Sequence, residues 1–275
     1  MGAQIGCEYA LGGQDVTLVA RNTAAVDERV EAALRLLEEH RLAPAEALRD
    51  ARSRLRVVGS VDEAAECDLA VESVPEQLEL KAELLGRVAE ASPDAILASN
   101  TSSLSITALG AAVGAPARVV GTHYLNPPLL MPPVEVVAGP DTDAAVVETV
   151  CGILAALGKL PVVVRRDVPG FVWNRLQFAL VRECAWLVDN GVATAEEVDV
   201  VVREGLARRW RRVGPLAAIG LGGVDAWNRA AANLASEIAA DSHLGDLGRL
   251  TVTDSEQLER LREARDAGLA DDLRG

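Results

Sequence analysis

The chain is expected to fold as an open α/β sheet with helices on both faces, followed by an all-α domain. Three observations predict this. Short apolar runs of strand length alternate with amphipathic helical stretches as far as residue 164. The run Arg165-Arg166-Asp167-Val168-Pro169-Gly170 then breaks the pattern, and no strand signal follows residue 171. At 275 residues and 49% hydrophobic, the chain can bury a large core. Two domains are expected, residues 1–166 and 167–275.

The elements read in order. Residues 1–11 form an amphipathic helix stopped by Gly12 and Gly13, and 16–20 a short buried strand. A charged helix spans 23–40, opened by Thr23 as its cap, and a shorter one spans 44–52. Strands are expected at 55–58, 69–71, 95–99, 118–123, 134–138 and 161–164. Helices fill 103–113 and 141–157, with Gly158 ending the second. Beyond the break, helices are expected over 171–190, 194–207, 216–240 and 255–267. The second of these opens on Thr194 with Glu197 three residues on, a capping box. Trp173, Trp186 and Trp227 are expected in helical core.

Composition removes several function classes. A net charge of −14 speaks against nonspecific nucleic-acid binding. No apolar run reaches membrane-spanning length, and no basic segment precedes an apolar one, so neither membrane insertion nor export is expected. Cys7, Cys67, Cys151 and Cys184 are scattered singly without CxxC pairs. They are expected to be reduced thiols in a cytoplasmic protein, and no metal site is expected.

Chemistry concentrates between residues 99 and 135. Ser102, His123 and Glu135 all fall at strand ends, where an open α/β sheet places its reactive groups. His123 and Glu135 are twelve residues apart across the turn N-P-P-L-L-M-P-P. If that turn folds the next strand back, the carboxylate meets one ring nitrogen. The other nitrogen is then free to exchange a proton with a substrate hydroxyl held by Ser102.

The N-terminal helix carries a partial nucleotide signal. In a Rossmann-type doubly wound sheet, G-x-G-x-x-G joins the first strand to the first helix. Gly2 matches only the last glycine. The first strand and the earlier glycines are therefore expected upstream of Met1, leaving the sheet here without its central strand. After the second strand the usual ribose-binding carboxylate is replaced by Ala20, followed by Arg21. That pair suits a 2′-phosphate, or else Arg21 is simply solvated beside an NAD site, so NAD and NADP both stay open.

S-N-T-S-S, then G-T-H-Y-L-N-P with V-E-V, then D-V-P-G-F-V-x-N-R-L occur in that order along the chain. With them the sequence resembles the 3-hydroxyacyl-CoA dehydrogenase family over nearly its whole length. The resemblance implies hydride transfer between a nicotinamide cofactor and an L-3-hydroxyacyl thioester. It implies His123 as acid–base group, Glu135 as its partner, and Ser102 and Asn174 on the substrate oxygen, with Asn126 nearby. Glu76, Lys81 and Asn100 would approach the nicotinamide ribose. Without the resemblance, Glu76 and Lys81 read as a helix-start carboxylate and a surface lysine.

The substrate stays divided. The C-terminal half is similar to the branch containing L-gulonate 3-dehydrogenase and lambda-crystallin, which works on free 3-hydroxy acids, whereas S-N-T-S-S and T-H-Y-L-N-P are more like the acyl-CoA branch. Arg208-Arg209-Trp210-Arg211-Arg212, expected in a loop, is either a solvated run or a binder of CoA phosphate or substrate carboxylate through Arg208 and Arg211. A non-catalytic structural protein of crystallin type is the reading from another class. A homodimer is implied by the resemblance and by the apolar helical faces.

Overall fold

The computed structural model describes residues 1–64, 66–234, 237–238 and 254–274. Two compact units divide the chain, Met1–Asn174 with Leu261–Gly275, and Arg175–Arg260. The sequence places the division earlier, at residue 166.

In the first unit, α1 (Gly2–Leu11), β1 (Val16–Val19), α2 (Thr23–Glu39), α3 (Ala45–Ser53) and β2 (Leu55–Val58) come first. The cap of α2 is Asn22 rather than Thr23: its side chain accepts from the Ala25 N–H at 3.0 Å. Asn and Thr both cap well, so adjacent candidates are separated only by where the backbone turns extended. There follow β3 (Leu69–Glu72), α4 (Leu78–Ala91), β4 (Ile96–Ser99), α5 (Ile106–Val113), β5 (Val119–Tyr124), β6 (Pro133–Ala138), α6 (Ala144–Ala156) and β7 (Leu160–Val164).

The strands form two sheets, β1-β2 and β3-β4-β5-β6-β7. β1 and β3 do not pair with each other. Val16 of β1 and Leu69 and Val71 of β3 nevertheless pack against the same core cluster as Ile5 and Tyr9 of α1. The pairs β3-β4 and β4-β5 are parallel, while β6 runs antiparallel to β5 and sets His123 directly opposite Glu135.

Helices cover both faces of the larger sheet. Ile5 and Tyr9 of α1 and Val150 and Leu154 of α6 pack on Val120, Tyr124, Val134 and Val136. Leu85 of α4 with Ile106 and Leu109 of α5 pack on Leu97, Val119 and Val137 of the opposite face. All six residues of β5 are buried, so the strand reads as a continuous apolar run interrupted only by Thr122, His123 and the small Gly121. A side chain at Gly121 would meet Ile106 Cδ1 at 2.9 Å and Val137 Cβ at 3.0 Å, so glycine is what lets α5 lie close on β5.

The second unit holds most of α7 (Trp173–Asp189), then α8 (Ala195–Val200), a π-helical stretch Val201–Ala207, α9 (Arg208–Trp210), α10 (Pro215–Gly222) and α11 (Val224–Leu234). The Thr194–Glu197 capping box is present in both directions. Two expectations fail here. The helix expected over 216–240 is broken at Gly223, whose φ of 84° few other residues adopt, and its end lies partly outside the described residues. The arginine run is not a loop: Arg208 and Arg209 continue the helix and Arg211 is its C-cap. The last helix, α12, spans Ser255–Arg274.

Trp173 and Trp227 are 39% and 40% exposed, not core as the sequence suggests. Among the described residues, no helix is long and apolar enough to cross a membrane. The four cysteines are free, and burial pushes the Cys7 thiol up to about 12.

Candidate functional site

The antiparallel return of β6 does what the spacing implied. His123 Nδ1 and Glu135 Oε2 are 2.7 Å apart, both side chains almost fully buried. A carboxylate accepts only, so Nδ1 carries the proton and Nε2 is the basic nitrogen. The other carboxylate oxygen, Oε1, accepts from the backbone N–H groups of Val172 and Trp173 at 2.8 and 2.9 Å. Burial pushes the Glu135 carboxyl up, but the His123 bond and the two amides outweigh it and hold it below the usual carboxylate range.

Those two amides are presented by a turn with an uncommon backbone. Gly170 has φ 79° and Phe171 has φ 49°, a left-handed conformation that a bulky residue rarely adopts. Phe171 is buried, and its ring lies 5.7 Å from the His123 ring, tilted by 58°. Sequence reasoning missed Phe171 and the two amides. The Pro-Gly-Phe run was a visible signal for a tight turn, but the carboxylate its amides meet, 37 and 38 residues earlier, was not.

A second cluster sits at the ends of β3 and β4. The next residue of the same turn, Asn174, donates through Nδ2 to the Ser102 carbonyl at 2.9 Å, joining the start of α7 to the S-N-T-S-S loop. Ser102 is half-buried. Asn100 Oδ1 accepts from the Tyr124 N–H at 2.9 Å and ties the ends of β4 and β5 together. Asn126 is exposed in the turn between β5 and β6.

Glu76 gathers this loop. Its Oε1 accepts from Thr101 Oγ1 at 2.5 Å, from the Ser102 and Ser103 N–H groups at 2.9 Å each, and from Ser103 Oγ at 2.9 Å. Burial pushes its carboxyl up, but the hydroxyls of Thr101 and Ser103, the Ser102 amide and Lys81 pull it down to about 2. Lys81 is not a surface residue: it is fully buried. Its Nζ lies 2.9 and 3.0 Å from the two Glu72 oxygens, 3.1 Å from the Val74 carbonyl and 3.2 Å from Glu76 Oε2. Ser99 Oγ donates to Glu72 at 2.6 Å. Glu72 and Ser99 were also missed, because each ends an ordinary strand and only the parallel pairing makes them neighbours.

Ser105 and Thr107 tie α5 to the end of the first domain's chain at Asp167. Ser105 caps α5, and both hydroxyls and the Thr107 N–H donate to Asp167 Oδ2 at 2.6 to 2.9 Å.

The nucleotide end is less complete. Gly2 opens α1 beside Ser73, where an added Cβ would stand 3.4 Å from Ser73 Cβ. Ser73 Oγ is buried without a hydrogen-bond partner. A helix start with free N–H groups and an unsatisfied hydroxyl fits the negative phosphates of a dinucleotide. Ala20 stands just past β1, its N–H bonded to the Val58 carbonyl, and Arg21 is exposed. Arg208 is 79% exposed at the side chain, 3.9 Å from Glu204.

Residues 1–168 match the family described as 3-hydroxyacyl-CoA dehydrogenase, NAD binding domain, and residues 170–268 match its C-terminal domain. L-carnitine dehydrogenase of Pseudomonas sp. is 40% identical over 207 residues, 74% of this chain and 63% of that protein. 5-Formyl-3-hydroxy-2-methylpyridine 4-carboxylate 5-dehydrogenase of Mesorhizobium japonicum is 38% identical over 173 residues, 62% of this chain and 56% of that protein. The chain thus spans less than two-thirds of these relatives' lengths. A crystal structure of the latter kind of enzyme, described as an NAD+-dependent dismutase, is 29% identical with a TM-score of 0.90. The match covers 100% of this chain and 96% of that one. 3-Hydroxybutyryl-CoA dehydrogenase from Escherichia coli K12 is 34% identical with a TM-score of 0.69, over 74% of this chain and 44% of that one. The chain belongs to the 3-hydroxyacyl-CoA dehydrogenase family.

Proposed function

We propose that this member of the 3-hydroxyacyl-CoA dehydrogenase family interconverts a 3-hydroxy compound and its 3-keto form with NAD. The observation that carries this reading is the His123–Glu135 pair, with the second Glu135 oxygen fixed by the Val172 and Trp173 amides. The start of α1 with Ser73 would hold the cofactor's phosphates. When bound, NAD takes up or returns the hydride at the carbinol carbon. In oxidation His123 Nε2 takes the hydroxyl proton, and Glu135 stabilises the imidazolium that forms. Ser102 and Asn174 hold the oxygen as charge moves onto it. In reduction the protonated His123 is the acid.

The two substrate classes have different support. The names of the curated relatives, carnitine and a pyridine carboxylate, favour a small free hydroxy acid. The likeness to 3-hydroxybutyryl-CoA dehydrogenase favours an acyl thioester. Initial rates on L-carnitine, L-gulonate, 3-hydroxybutyryl-CoA and acetoacetyl-CoA, each with NAD(H) and NADP(H), decide between them. No turnover with any pair would sink the dehydrogenase reading and leave a structural protein on the same fold.

Arg208 and Arg211 give a second way to tell the classes apart. If they bind CoA phosphate, replacing both with Ala raises KM for acyl-CoA about tenfold and spares a pantetheine-truncated analogue. If they bind a free carboxylate, hydroxy-acid activity falls and thioester activity does not. No change for either makes them a solvated run.

Cofactor choice is tested at Ala20. Ala20→Asp should raise the NAD/NADP ratio of kcat/KM about tenfold or more, because a carboxylate pairs with the 2′-hydroxyl and repels a 2′-phosphate. An unchanged ratio means that residue 20 does not face that ribose.

A further inference from the structure

The loop carrying Ser102 has a structural problem that one side chain solves. Residues 101–103 follow β4 and precede α5, so no helix or sheet takes their backbone N–H groups. The Ser102 and Ser103 amides go instead to one oxygen of Glu76, along with the hydroxyls of Thr101 and Ser103. Glu76 lies between β3 and α4, about 25 residues earlier in the chain.

Glu76 is itself pinned. Its other oxygen meets Lys81 Nζ at 3.2 Å. An ammonium group has three protons, and Lys81 has four acceptors around it, two from Glu72, one from Val74 and one from Glu76. With no exposed surface either, Lys81 has no proton left for a ligand. Glu72 is in turn held by Ser99, the last residue of β4, so the chain of contacts closes on the strand from which the loop departs.

We infer that Glu76 is a positioning residue, which, braced by Lys81 and Glu72, fixes residues 101–103 and through them the place of Ser102 against the substrate oxygen. This rests on the dehydrogenase reading for Ser102 but not for the loop. The same hydrogen bonds that hold the loop pull the Glu76 carboxyl down to about 2, which suits a fixed acceptor and not an acid or base.

The test compares Glu76→Ala, Glu76→Gln, Ser102→Ala and Glu76→Ala/Ser102→Ala. Three readouts are taken: backbone hydrogen exchange at 102–103, NAD affinity by fluorescence titration, and kcat and KM on the best substrate. Glu76→Ala should speed exchange at those amides at least about tenfold, since two bonded N–H groups lose their acceptor. It should lower kcat by about 10²-fold, the scale of a small misplacement, with NAD Kd within about twofold of wild type. Adding Ser102→Ala should cost little more, because Glu76 acts through that residue. Glu76→Gln keeps an oxygen for the loop and should recover most of the kcat.

A tenfold weaker NAD Kd with unchanged exchange would overturn the inference in favour of direct cofactor binding. Multiplicative effects in the double variant would overturn the link to Ser102. If wild type turns over no substrate, the functional reading fails, and unchanged exchange in Glu76→Ala would separately overturn the loop-holding role. Should Glu76→Ala not fold, Thr101→Val removes a single donor and must move exchange in the same direction.

Discussion

His123→Ala is expected to lower turnover by about 10²–10⁴, with NAD affinity little changed, because general acid–base groups contribute on that scale. The His123 ring is oriented by the Glu135 carboxylate at 2.7 Å, which leaves Nε2 free to exchange a proton. Glu135→Gln should cost less, since the amide oxygen can still accept from Nδ1 but no longer balances the imidazolium. It should also shift the pH profile of kcat/KM, which His123→Ala flattens. Steady-state rates across pH on the best substrate from the panel read both effects. A wild-type rate in His123→Ala would remove the mechanism.

Lys81→Met should be the most damaging change to stability. The variant leaves Glu72, 3% exposed at its side chain, without its counter-charge in the interior. Breaking a buried pair from one side costs about 3–5 kcal/mol, a large share of a total stability of about 5–15 kcal/mol. For a chain of this size that lowers the melting midpoint by roughly 6–20 °C. Adding Glu72→Gln should restore about half of the loss, because the orphaned charge is then gone while an acceptor for Ser99 remains. A melting midpoint within 2 °C of wild type in Lys81→Met alone, well below the roughly 6 °C minimum, would show that the ion pair does not hold this corner.

The features legible in the sequence are those with a local signature. The strand periodicity of β5 and β6, the twelve-residue spacing of His123 and Glu135, and the Thr194 capping box can each be read within a short window. Less legible are partners far apart in the chain. Val172 and Trp173 serve a carboxylate 37 and 38 residues away, Asp167 ties down Ser105 from 62 away, and Ser99 reaches Glu72 across 27. Lys81 looked like a surface lysine because helix periodicity says which face is buried, not what charge waits there. The break at Gly223 was visible as a Gly-Gly pair in an otherwise apolar run, yet the run's hydrophobicity outweighed it. The arginine run, expected in a loop before Gly214 and Pro215, is helical because exposed arginines are good helix formers.

The Phe171 backbone links proton chemistry to chain conformation. A phenylalanine at φ 49° sits in a region that costs about 1–3 kcal/mol, so the turn persists only while its contacts outweigh that cost. Two of those contacts are hydrogen bonds to Glu135 Oε1, and another is the ring against His123. Because the folded protein holds the Glu135 carboxyl below its ordinary range, the stability it contributes is present above the unfolded carboxylate value and is lost as pH falls through the folded one. Protonating that single carboxyl therefore withdraws the orientation of the base and the anchors of the turn in one event. Reciprocally, whatever straightens residues 170–173 makes Glu135 easier to protonate.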